Sequence, residues 1–200
     1  MPLLVLNIAL FIVQISVKGF TDSFALVSSE IYSRPWILFT SMFLHGGFEH
    51  LFFNMYALLI FGTFLEQRIN PKRFLLAYLA SGLLAAFISS FFYKSALGAS
   101  GAIMGIIGML IVLMPELRLL FFFIIPMPLW VAGIIWFALD ALGIFFPSGV
   151  GNIAHITGMM FGLAAGFYLK KQKSEFTKKF SSKPHLESED IDEYLRSGKI

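Results

Sequence analysis

Apolar runs too long and too poor in charge for a water-facing surface dominate this chain. Residues 1–169 carry only seven Lys/Arg and six Asp/Glu side chains, whereas 170–200 carry eight and six. At 14% charged and 58% hydrophobic residues, the chain falls well short of the about 25% charge of a soluble domain. Most of it is expected in lipid, as a helical membrane domain over residues 1–170, with 171–200 as a polar tail. Cysteine is absent, which excludes a disulfide framework and a cysteine nucleophile. The pI near 9.2 does not point to nucleic acid, because the basic residues gather at membrane edges. Residues 1–17 lack a basic leader and a small-residue cleavage site, so they read as a retained first helix.

Six apolar segments are expected as spans: 3–17, 48–67, 74–93, 100–114, 129–146 and 151–169. Residues 18–44 form a mixed loop with Tyr32 and Trp36 at interface level. Pro71 in "RINPKR" suits a helix start. Residues 117–128, interrupted by Pro126 and Pro128, are expected to lie at the interface, and a short helix is expected near the end of the tail. Arg68, Lys72, Arg73, Arg118 and the tail lysines fall on one side; Lys18, Arg34 and Lys94 fall on the other. The positive-inside rule then puts both termini in the cytoplasm of a multi-pass cell-membrane protein.

With that topology the second, fourth and sixth segments all begin on the outer side, and their first turns hold the polar residues. These are His50 and Asn54, then Ser100, then Asn152 and His155. A helix over 100–114 spans about 22 Å at 1.5 Å per residue, against a bilayer core of about 30 Å. Ser100 is therefore expected below the outer surface, at the bottom of a cavity. A serine hydroxyl needs a base to become a nucleophile, and histidine suits that role. Gly158, Gly162 and Gly166 share a face with His155, and Gly101, Gly105 and Gly108 flank Ser100. Small faces let membrane helices approach closely. Ser100 and His155 are the expected catalytic pair. His50 and Asn54, one helical turn apart, and the Ser100 backbone N–H are the expected oxyanion donors.

Taken singly, each residue has a plainer explanation. A serine in a small-residue patch is usually packing, and Asn54 alone could be interhelical glue. Intramembrane histidine is less easily dismissed, because ionisable groups there are expensive. Jointly, at one depth, the functional explanation is the stronger. His45 and Glu49 are expected to shape the entrance to the second segment, Glu66 and Arg68 to serve its inner end, and His185 to be solvated. Asp140 is the odd residue in "WFALDALG", expected to pair with a polar neighbour in the bundle or to lie near the outer interface. A dyad is expected, without a third residue orienting His155. There is no HExxH for a metalloprotease, and Asp140 is the one acid well inside a segment, too few for an aspartyl pair.

These residues resemble the rhomboid family of intramembrane serine proteases. "GASG" is similar to the family's G-x-S-G nucleophile motif, with Ser100 as nucleophile. "HGGFEHLFFNM" is similar to its second-helix pattern through His50 and Asn54, and "AHITGMMFG" to H-x-x-G-x-x-x-G, with His155 as base. Trp36 and "PWILFTSMFLH" resemble the family's first loop, and "FGTFLEQR" the end of its second helix. The resemblance covers about residues 30–170. It implies an all-α, six-transmembrane-helix rhomboid-like bundle, with a short central fourth helix carrying the nucleophile. It also implies cleavage of transmembrane protein substrates near their outer end, with no metal or cofactor. Two positions depart from the family pattern: Ile37 follows the loop tryptophan where arginine is frequent, and Met104 stands where some members carry tyrosine against the histidine. The alternatives are an inactive rhomboid-like binder of transmembrane helices, which should lack Ser or His, and a transporter or channel, which needs polarity across the full thickness.

Overall fold

Prolines mark several of the helix starts, at Pro2, Pro71 and Pro128, and a polar side chain caps one of them. The computed structural model describes residues 2–121, 125–146, 149–181, 189 and 191. Helix α1 covers Pro2–Ser16 and is followed by the short α2 at Phe20–Phe24 and α3 at Ile37–Thr40. Two helices follow that are long and apolar enough to cross a membrane, α4 over Phe48–Ile69 and α5 over Pro71–Ser89. Asn70 separates them, at φ 75°, with its side chain accepting from Arg73 N at 3.0 Å. That cap and Pro71 at the first helical position start α5 three residues before the expected 74, and it ends at Ser89 rather than 93.

Two shorter apolar helices come next, α6 over Ser100–Leu113 and α7 over Leu129–Gly143. Then α8 runs from Asn152 to Ser181. The change of composition at 170 thus falls within one continuous helix and does not break the secondary structure. The short helix expected near the tail's end and His185 fall outside the described residues.

Helix α6 is the centre of the bundle, with ten of its fourteen residues buried. It packs on α8, α5 and α4, and α8 also meets α5 and α7. The closeness of α6 and α8 has a direct cause. A Cβ on Gly158 would strike the Gly101 carbonyl, one on Gly162 the Gly105 carbonyl, and one on Gly108 the Met159 carbonyl. Only hydrogen fits at these crossings, and dispersion contacts between the two backbones replace side-chain packing.

The segment expected as one mixed loop is more ordered than its composition suggests. Strand β1 (Leu26–Val27) pairs antiparallel with β2 (Ser95–Ala96), fixing this segment to the chain just ahead of α6. Thr40 Oγ1 donates to Phe24 O at 2.7 Å, Arg34 Nη1 to Asp22 O at 2.9 Å, and Ile37 is fully buried. The connection expected at the interface is an antiparallel hairpin, β3 (Arg118–Phe121) with β4 (Ile125–Pro128). Pro126 and Pro128 stand two apart, so their missing N–H groups fall on the same edge of β4, where no partner strand is needed.

Candidate active site

Ser100 is the first residue of α6, and the chain reaches it through Gly98 and Ala99. Gly98 has φ +128°, and its N–H donates to Ser41 O at 2.9 Å. A Cβ there would lie 2.8 Å from the His50 ring, so glycine lets the approach pass close to that imidazole. No side chain caps the start of α6. Its first-turn amides, including that of Ser100, belong to the set that has no partner within the helix.

On α8 the Ile153 N–H donates to Tyr93 Oη at 3.1 Å, and His155 N–H to Gly151 O at 3.0 Å. These bonds fix the first turn of α8, and the glycine crossings fix its distance from α6. His155 Nε2 then lies 2.8 Å from Ser100 Oγ, within hydrogen-bond range.

Where a Ser–His pair with no third residue was expected, the structure places a carboxyl group against His155. Asp140 Oδ1 lies 2.9 Å from His155 Nδ1, and Asp140 is buried. Asp140 reaches this position because α7 and α8 form a hairpin and abut at their joined ends. A Cβ on Gly143 would come within 2.7 Å of the Asn152 side chain. One turn away from that crossing on each helix stand Asp140 and His155. Asp140 and Gly143 are three positions apart, as are Asn152 and His155, and that matched spacing is the sequence signal that could have paired them.

His50 Nδ1 accepts from the Gly46 N–H at 3.2 Å, which leaves the ring hydrogen on Nε2, on the side facing Gly98. Asn54 Nδ2 donates to His50 O at 2.8 Å, with a second amide hydrogen in hand. His45 is buried, with its ring edge-on to His50 at 5.3 Å. Burial, and then the adjacent His50, push its pKa down to about 4, so it sits there as a neutral ring. Gln14 on α1 grips the His45 backbone in both directions, Nε2 to O at 2.8 Å and Oε1 from N at 3.0 Å. Gln14 and Tyr93 are positioning residues that sequence reasoning missed, since each acts through a partner more than thirty residues away.

Ser100, His155, His50 and Asn54 line one cavity of about 760 Å³, with Met104, Trp136 and Val150 among its other walls. Among the described residues no group of three or more His, Asp or Glu could hold a metal ion. A hydroxyl, an imidazole with a carboxylate behind it, and nearby N–H donors around one cavity can support acyl transfer.

The Rhomboid domain matches residues 32–172 of this chain. RHOMBOID-like protein 6, mitochondrial, from Arabidopsis thaliana is 35% identical over 70% of the chain and 45% of its own length. Rhomboid protein 1, mitochondrial, from Saccharomyces cerevisiae (strain ATCC 204508 / S288c) is 32% identical over 76% and 47%. Rhomboid protease GluP from Bacillus subtilis (strain 168) is 39% identical over 70% and 27%. The chain thus spans under half the length of each of these relatives. The matched region begins ahead of the first loop's Trp36 and runs beyond His155 into the second half of α8, so it takes in every residue that lines the cavity except Leu26. On that coverage the chain belongs to the rhomboid family, a family of membrane-embedded proteins.

Proposed function

We propose that this chain is an intramembrane serine endopeptidase that cleaves transmembrane protein substrates near the outer membrane face. The observation that carries this reading is the 2.8 Å contact between Ser100 Oγ and His155 Nε2 at the wall of a cavity. The name of the Bacillus relative, a rhomboid protease, supports the same class of chemistry.

In this reading a substrate helix enters sideways from the bilayer, past α7 and the chain at 147–150. Pro147 and Ser148 of that gate lie outside the described residues. Helix-breaking residues let the substrate backbone unwind toward Ser100. His155 Nε2 accepts the Ser100 proton as Oγ attacks the scissile carbonyl carbon. The oxyanion is held by the His50 Nε2–H, an Asn54 amide hydrogen and the Ser100 backbone N–H. The His155 imidazolium then protonates the leaving amine, and a water molecule, activated by the same ring, releases the acyl group from Ser100. The chemistry proceeds without a metal or cofactor. Six spans with both termini in the cytoplasm place the cavity mouth outward, and the short α6 keeps Ser100 below the surface. Substrate helices and membrane lipid are the partners; nucleic acid is not.

The test is cleavage of a labelled single-span peptide by the purified chain in lipid vesicles. Wild type should cleave, and Ser100→Ala and His155→Ala should each lose at least about a thousandfold in kcat. Equal cleavage by wild type and Ser100→Ala would refute the reading, and a folded wild type that never cleaves would favour a helix-binding role.

A further inference from the structure

We infer that Asp140 is the positioning residue for His155, converting the proposed pair into a hydrogen-bonded Ser100–His155–Asp140 chain. The inference rests on the proposed protease reading and deepens it.

Asp140 sits in α7, whose other residues are apolar or glycine. A buried acid in such a helix is costly, and its retention needs a partner. Its carboxyl group meets His155 Nδ1 at 2.9 Å, on the far side of the ring from Ser100. A carboxylate only accepts, so this contact assigns the ring hydrogen to Nδ1. Nε2 then carries a lone pair toward Ser100 Oγ, the tautomer that proton abstraction from the serine requires. The same carboxylate faces the positive charge that appears on the ring once the serine proton has moved. His50, on α4, also lines the cavity with His155. As a second cation-forming group it cannot supply this stabilisation.

The arrangement also holds the ring by its two ends. Rotation about the His155 side chain would break both the Ser100 and the Asp140 contacts at once. The glycine crossings set the helix positions, and Asp140 sets the ring within them.

A purely structural Asp140, a tie between α7 and α8, is separable from a positioning one. Asp140→Asn keeps the shape of the side chain but can present its amide N–H to Nδ1, favouring the wrong tautomer. The experiment measures kcat, KM, thermal unfolding and the rate of fluorophosphonate labelling for wild type, Asp140→Asn and Ser100→Ala in lipid vesicles. Asp140→Asn should lose roughly 100- to 10,000-fold in kcat and label more slowly, with KM within about threefold and an unfolding temperature near that of wild type. Wild-type kcat in Asp140→Asn, or a loss confined to KM or matched by unfolding, would overturn the positioning role while leaving the protease reading intact. Cleavage by Ser100→Ala at the wild-type rate would instead sink the protease reading itself.

Discussion

Four polar side chains, Ser100, His155, His50 and Asn54, were legible from the sequence because polar atoms are few in an apolar chain and each needs a reason to be there. Their grouping followed from one assumption about topology, that alternate helices begin on the same side. Asp140 was equally conspicuous but was not placed, because its partner depends on the rotation of α7 against α8. Helical periodicity within a single segment carries no information about that rotation. Gln14 was invisible for a related reason: it acts on a backbone at His45, and backbone acceptors leave no sequence signal. The hydrogen bond from Gly46 to His50 Nδ1 makes a prediction at this scale. Because it assigns the hydrogen to Nε2, His50 is a donor rather than a second base in the proposed mechanism. His50→Ala should then lower kcat by about 100- to 1000-fold, the usual effect of deleting one oxyanion donor, with little change in KM. Steady-state kinetics on the same labelled peptide would show this, and a loss appearing chiefly in KM would argue for a substrate-binding role instead.

Element boundaries were readable where local chemistry sets them. Pro71 and Asn70 start α5, and an apolar run of sufficient length marks α4. They were not readable where tertiary contacts decide. The β1–β2 pair joins residues nearly seventy apart, and the hairpin at 118–128 absorbs two prolines that a local reading treats as breakers. The glycine faces belong to the readable part, and the structure gives them a quantitative meaning. Gly162 faces the Gly105 carbonyl with no room for a methyl group, whereas a Cβ on Gly151 would make ordinary contact at 3.6 Å with Ala154. Gly162→Ala should therefore destabilise the fold by about 1–3 kcal/mol, the usual cost of overpacking, and separate α6 from α8. Gly151→Ala should be close to neutral. Unfolding of the two variants in mixed detergent micelles measures the difference, and equal stabilities would mean that α6 and α8 do not pack through these glycines. Separation of the two helices would also lengthen the contact between Ser100 and His155, so the Gly162 variant should lose activity along with stability.

At the scale of the whole molecule, a helical bundle puts a serine and a histidine from two helices on one cavity, with a carboxylate from a third helix behind the histidine. The helical character and the family were legible, because the apolar runs are long and the motif spacings are specific. The hydrogen-bonded chain through Asp140 emerged only from the packed hairpin of α7 and α8. The absence of cysteine makes the orientation easy to probe. Cysteine placed at exposed Lys94 should react with a membrane-impermeant maleimide on intact cells, whereas cysteine at exposed Lys171 should react only after permeabilisation. Both reacting from the same side would reverse the proposed topology. The central claim is that the imidazole of His155 makes Ser100 a nucleophile inside the bundle, and covalent trapping tests it most directly. A fluorophosphonate applied to the wild-type chain in lipid vesicles, followed by peptide mass spectrometry, should place the adduct on Ser100 and find none in a folded His155→Ala variant. An adduct on another residue, or equal modification of Ser100 with and without His155, would contradict the account.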